Sequence, residues 1–216
     1  MNTVRVKICG LRSEHDLDIA VSAGADAVGL LCSVPVDTPR EIDVEHASTL
    51  AASTPPFVTS VLVTMPNSVD EALDLLTTIE PDAIQIHGDL SVSSIAEIAT
   101  EFPVIRALSV TDSEHIHRTA SVADAILLDS VDETGAGGTG ETHDWDRAAD
   151  VVESLDIPVI LAGGLTPKNV TTAINQVRPY AVDVASGVED EHGKDPTAVH
   201  SFIEAARNSS IEVELP

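Results

Sequence analysis

Eight short runs rich in apolar and β-branched residues recur along the chain, each followed by a longer stretch with amphipathic spacing. They are Val4–Ile8, Ala27–Cys32, Val58–Val63, Ala83–Ile86, Val104–Leu108, Ala125–Leu128, Val159–Ala162 and Ala181–Ala185. A period near two that gives way to one near 3.6 is the mark of a strand–helix unit, and parallel strands need such crossovers to pair. Eight units within 216 residues predict an α/β protein, a (β/α)8 TIM barrel forming a single domain over residues 1–216. A doubly wound open sheet is the other arrangement the pattern allows.

Helix starts are written into the connecting stretches. Ser13 with Asp16, Ser68 with Glu71 and Thr111 with Glu114 match a capping box, while Thr166-Pro167 and Asp195-Pro196 set a capping residue before a first-turn proline. A faint internal echo accompanies them. Asp26-Ala27-Val28-Gly29, Asp82-Ala83-Ile84-Gln85, Asp124-Ala125-Ile126-Leu127 and Tyr180-Ala181-Val182-Asp183 open the second, fourth, sixth and eighth strands. A two-unit period suits a barrel whose interior layers are filled by alternate strands.

Charge narrows the setting. Asp and Glu number 36 against 11 Lys and Arg, a formal charge of −25 spread over many segments and not gathered in a tail. Such self-repulsion is largely screened at about 1 M salt, where the Debye length is roughly 3 Å, so a halophile's cytoplasm is expected. Nucleic acid is an unfavourable partner because no basic patch exists to neutralise phosphates. Two cysteines, Cys9 and Cys32, make neither a disulfide framework nor a paired metal spacing. No export leader and no membrane-spanning run is evident, so no membrane partner is expected.

In a barrel, function gathers just past the C-terminal ends of the strands. Those positions hold Cys9, Gln85, His87-Gly88, Asp129, Gly163-Gly164 and Ser186-Gly187. Glycine turns after strands seven and eight suit an anion, because backbone amides there can approach it without a Cβ in the way. Either turn alone could be only a tight connection, and both on adjacent strands favour a phosphate. Asp129 ends an apolar strand, where a carboxyl can act as general acid, although a carboxylate so placed can also merely cap amides.

Cys9 could be a small buried hydrophobe. As a base it needs thiolate character, and Lys7 lies on the same face of the same strand. The run Gly135-Ala136-Gly137-Gly138-Thr139-Gly140 reads as a mobile lid after strand six. His115 and His117, two apart on a helix, do not share a face, and His87 has no second ligand at metal spacing, so no metal site is expected.

These residues resemble the phosphoribosylanthranilate isomerase family of tryptophan biosynthesis. The likeness runs through Lys7-Ile8-Cys9-Gly10, Gly24-Ala25-Asp26-Ala27-Val28-Gly29, Gln85-Ile86-His87-Gly88, Leu128-Asp129-Ser130, Gly137-Gly138-Thr139-Gly140, Asp144-Trp145, Ala162-Gly163-Gly164-Leu165-Thr166-Pro167, Asn169-Val170, Asp183-Val184-Ala185-Ser186-Gly187-Val188-Glu189 and Gly193-Lys194-Asp195. The resemblance implies an Amadori rearrangement of a small phosphosugar with no cofactor. Asp129 would protonate the furanose ring oxygen, and Cys9 would remove the C2′ proton. Gly163, Gly164, Ser186 and Gly187 would hold the phosphate, with Gln85, His87 and Gly138 as further substrate contacts.

The chain departs from the family in places. Strand two lacks the usual aromatics and reads Leu30-Leu31-Cys32, followed by the somewhat longer loop Ser33–Arg40, whose Arg40 is the candidate for the anthranilate carboxylate. His143 stands where an aromatic often precedes Asp144-Trp145, and Ala185 replaces a frequent serine. A sister aminoaldose isomerase of histidine synthesis would favour an aspartate where Cys9 stands. A silent barrel subunit would leave Cys9 and Asp129 without effect. The resemblance is compatible with a monomer or a homodimer.

Overall fold

Residues 4–129 and 145–209 are those the computed structural model describes. Its strands run Arg5–Cys9 (β1), Ala27–Leu31 (β2), Thr59–Thr64 (β3), Ala83–Ile86 (β4), Val104–Ser109 (β5), Ala125–Asp129 (β6), Val159–Leu161 (β7) and Ala181–Val184 (β8). Each pairs in parallel with the next, and β8 returns to pair with β1, closing the predicted barrel. Between them lie helices Glu14–Ala23 (α1), Val44–Ser53 (α2), Val69–Ile79 (α3), Val92–Ile98 (α4), Ser113–Ala120 (α5), Trp145–Ser154 (α6) and Val170–Val177 (α7). After β8 come a 3-10 turn at Ser186–Val188, a two-stranded ribbon of Glu189–Asp190 (β9) and Gly193–Lys194 (β10), and the helix Pro196–Arg207 (α8). Among the described residues no helix is long and apolar enough to cross a membrane.

Successive strand residues sort into two cores, as a period of two demands. Val6, Ile8, Val28, Leu30, Leu62, Ile84, Ile126 and Val182 point outward and pack with the helices in one large cluster. The alternate residues fill the barrel itself and are smaller: Cys9, Val61, Val63 and Ala83 on one side, Ala107, Ala125, Leu127, Ile160, Ala162 and Ala181 on the other. The inner core leaves room at its C-terminal end. That room is the site.

The tetrapeptide echo has a physical basis. Asp26 Oδ2 accepts from Val6 N at 2.9 Å, Asp82 Oδ2 from Ser60 N at 2.8 Å, and Asp124 Oδ2 from Val104 N at 2.8 Å. Each aspartate thus ties the entry of an even strand to the odd strand before it. In the fourth unit Tyr180 stands instead, with the Arg5 guanidinium 4.6 Å from its ring centroid. The second members, Ala27, Ala83, Ala125 and Ala181, and the fourth, Gly29, Gln85, Leu127 and Asp183, share the inward face of alternate strands; all but Gly29 contribute a side chain to the interior.

Three of the five expected helix starts are present. Ser13 accepts from Asp16 N, Ser68 from Glu71 N, and Asp195 from Ala198 N with Pro196 opening the helix. Two expectations are corrected. Asp112, not Thr111, caps α5 by accepting from His115 N, while the Thr111 hydroxyl pairs with Ser109 Oγ at 2.9 Å. Thr166-Pro167 lies in a turn ahead of α7, whose first residue is Val170; Thr166 N donates to the Asn169 side chain, and the Thr166 carbonyl receives Asn169 N and Val170 N. The stretch 135–140, with Gly138, and the pair His143 and Asp144 lie outside the described residues.

Candidate active site

β1 ends on Cys9, and Gly10 follows with φ of 77°, letting both Gly10 N and Leu11 N reach the Gly29 carbonyl, at 2.9 and 3.1 Å. This turn stops the strand with the thiol aimed at the open end of the barrel. β6 ends on Asp129 on the far side, in register with Ser109 of β5. Cys9, Arg40, Gln85, His87, Asp129, Gly163, Gly164, Ser186 and Gly187 all line one cleft. Nine sequence candidates from six of the eight strand ends and the loops that follow them therefore meet in one place.

The glycine turns differ in what makes them glycine. Gly163 and Gly164 have φ of 82° and 62°, values that side chains rarely adopt. Asn169 braces the pair by donating from Nδ2 to the Gly164 carbonyl at 2.9 Å. Gly187 is a matter of space: a Cβ there would lie 1.9 Å from the Leu165 carbonyl oxygen. The two turns are thus pressed against each other at the end of the cleft.

At the wall, Gln85 Nε2 lies 2.8 Å from His87 Nε2. Burial, helped by the charges of Lys7 and Arg106, lowers the His87 pKa to about 4, so the ring is neutral near pH 7. A neutral ring accepting at Nε2 carries its proton on Nδ1. Gln85 Oε1 is buried and without a partner among the described residues. Arg106, which sequence reading passed over, lies buried on the helix side of β5. Its Nη1 donates to the Ile86 carbonyl at 2.8 Å and its Nη2 to that of Gly88, bracing the loop that carries His87.

Beneath and beside Cys9 lie charges whose pairing sequence reading did not foresee. Lys7 Nζ meets Asp183 Oδ1 at 3.0 Å, both side chains almost wholly buried. Burial opposes the ammonium, but Asp183 and then Cys9 outweigh it and hold Lys7 above the ordinary lysine range. Lys194 Nζ donates to the Cys9 carbonyl at 2.5 Å and to Glu189 at 2.6 Å. Glu189 in turn receives Arg40, and these bonds overcome its burial and hold its carboxyl below the usual range. For Cys9 itself, burial pushes the thiol up, and the opposing pull of Lys7 offsets only part of this. Among the described residues no group of three or more His, Cys, Asp or Glu is placed to hold a metal ion.

This arrangement sets a thiol and a carboxyl on one cleft with a pair of glycine turns. The model of the family described as N-(5′phosphoribosyl)anthranilate (PRA) isomerase matches residues 6–205. The N-(5′-phosphoribosyl)anthranilate isomerase of Haloferax volcanii is 53% identical over 212 residues, covering 97% of this chain and 96% of the relative. That of Halobacterium salinarum is 54% identical over 208 residues, covering 94% and 95%. Both come from halophilic archaea. A crystal structure of phosphoribosyl anthranilate isomerase in complex with reduced 1-(o-carboxyphenylamino)-1-deoxyribulose 5-phosphate superposes with a TM-score of 0.80 at 35% identity, covering 94% of this chain and 98% of the other.

Proposed function

Because the chain belongs to the N-(5′-phosphoribosyl)anthranilate isomerase family, an isomerase family of tryptophan biosynthesis, we propose that Cys9 and Asp129 are the base and acid of its rearrangement. The reaction turns N-(5′-phosphoribosyl)anthranilate into 1-(2-carboxyphenylamino)-1-deoxyribulose 5-phosphate. Asp129 gives a proton to the furanose ring oxygen, the bond from that oxygen to C1′ breaks, and the nitrogen lone pair forms a Schiff base. Cys9 Sγ then takes the C2′ proton, and the electron pair left behind neutralises the iminium as an enolamine. Tautomerisation yields the ketone. The chemistry asks for two proton carriers and no cofactor.

The observation that carries this reading is the placement of Cys9 and Asp129 at the ends of β1 and β6, facing one cleft with the two glycine turns at its edge. Gly163, Gly164, Ser186 and Gly187 are assigned to the phosphate, Arg40 to the anthranilate carboxylate, and Gln85, His87 and Gly138 to the remainder of the substrate. The whole chain is read as one catalytic domain acting in the cytoplasm as monomer or homodimer.

The test is loss of anthranilate fluorescence when the purified protein, in molar potassium chloride, meets substrate generated in place. Turnover by the wild type that collapses in Cys9→Ala and in Asp129→Asn supports both roles. Turnover that survives either substitution removes that residue's role, and a folded wild type without turnover overturns the substrate.

A further inference from the structure

Gly29 of β2 stands opposite Cys9 in the sheet register and has no side chain to offer the barrel interior. A Cβ built on it would lie 2.6 Å from Cys9 Sγ and 3.0 Å from Lys7 Nζ. Thiol and ammonium therefore converge on one small volume that only glycine leaves empty. Lys7 is kept there by Asp183 from β8, at 3.0 Å. A lysine buried at the heart of a barrel is costly unless paired, and a methyl at residue 29 would part it from the sulfur.

We propose that Lys7 is a positioning residue of the isomerase, its ammonium anchored by Asp183 and left unobstructed by Gly29 so that it stabilises the negative charge on Cys9. The proposal rests on the reading of Cys9 as base and goes beyond it by naming the group that makes the base ionisable.

Other charges face Cys9 from the neighbouring elements, and none substitutes for Lys7. Lys194 from β10 points at the Cys9 carbonyl and is already engaged by Glu189. His87 after β4 is neutral near pH 7. Asp183 is acidic and opposes a thiolate. Arg40, at the rim, is turned to Glu189 through Nε and Nη2. A nearby cation favours the thiolate and lowers the pH at which a cysteine becomes nucleophilic or basic.

The test is the pH dependence of Cys9 alkylation by iodoacetamide in a Cys32→Ala background, with kcat/KM followed over the same pH range. Lys7→Met is expected to move the alkylation inflection up by about one unit or more, a fall of roughly tenfold in reactivity below the inflection. The acid limb of kcat/KM should move with it. Gly29→Ala keeps every charge but parts sulfur from nitrogen, so it should move both curves in the same direction. An inflection at the wild-type pH in folded Lys7→Met overturns the proposal. Where Lys7→Met does not fold, an unmoved inflection in Gly29→Ala does so. A shifted thiol with an unmoved kcat/KM limb also overturns it, and failure of the underlying reading shows separately, as turnover retained in Cys9→Ala.

Discussion

Arg40 and Glu189 are joined by three hydrogen bonds, Arg40 Nε lying 3.0 Å from each carboxylate oxygen and Nη2 2.8 Å from Oε2. The loop after β2 is thereby tied to the ribbon after β8, and the guanidinium is held at the cleft rim with part of its donor set still available. Glu189→Gln is expected to raise KM severalfold, through an Arg40 that no longer has a fixed orientation, with a smaller change in kcat. Steady-state kinetics decide this. A loss confined to kcat would show that the pair orders the catalytic end and not the rim.

Gly187→Ala should be among the most damaging small substitutions on the cleft. Its methyl would sit 1.9 Å from the Leu165 carbonyl oxygen, a backbone atom that can move only with the turn after β7. A cost of about 1–3 kcal/mol is expected from such overpacking. Thermal melts read the stability loss, and inorganic phosphate, which should raise the melting temperature of the wild type, should do so less in the variant.

The neutral His87 predicts an acid-side instability. Its folded pKa of about 4 lies below the ordinary value of 6.5, so between these values the unfolded chain binds a proton that the folded one refuses. Stability therefore falls as pH drops from about 6.5 toward 4. Denaturant midpoints measured across that interval should show a shallower fall in His87→Gln than in the wild type. Equal slopes would place the acid sensitivity elsewhere; the depressed Glu189 carboxyl adds a separate loss that begins only as pH falls below its ordinary value of 4.5.

The charge of −25 predicts a salt-dependent fold. Raising potassium chloride from about 0.01 M, where the Debye length is roughly 30 Å, to about 1 M should raise the melting temperature steeply over the first few tenths molar. Circular dichroism in dialysed samples checks it, and a full fold with an unchanged melting temperature at millimolar salt would show that the acidic surface is not a liability.

Much of this protein is determined by its sequence read alone. The eight strands follow from apolar residues at a period of two, and their closure from the regular strand–helix alternation. Cys9, Asp129 and the glycine turns follow because the ends of barrel strands open on the cleft. These are local signals, set by backbone geometry over five to ten residues. Two helix starts escape them, since the Thr111 hydroxyl pairs with Ser109 and the Thr166 turn is closed by Asn169.

The pairing of charges was decided only by the closed barrel. Lys7 and Asp183 stand 176 residues apart and Arg40 and Glu189 149 apart. Each partner is an unremarkable charge in its own segment. What joins them is the seam where β1 pairs with β8, which brings Lys7 level with Asp183 and leaves Gly29 beside Cys9 on the other edge. Coulomb attraction acts through space and strengthens when water is excluded, so no pattern along the chain announces it until the strands have closed.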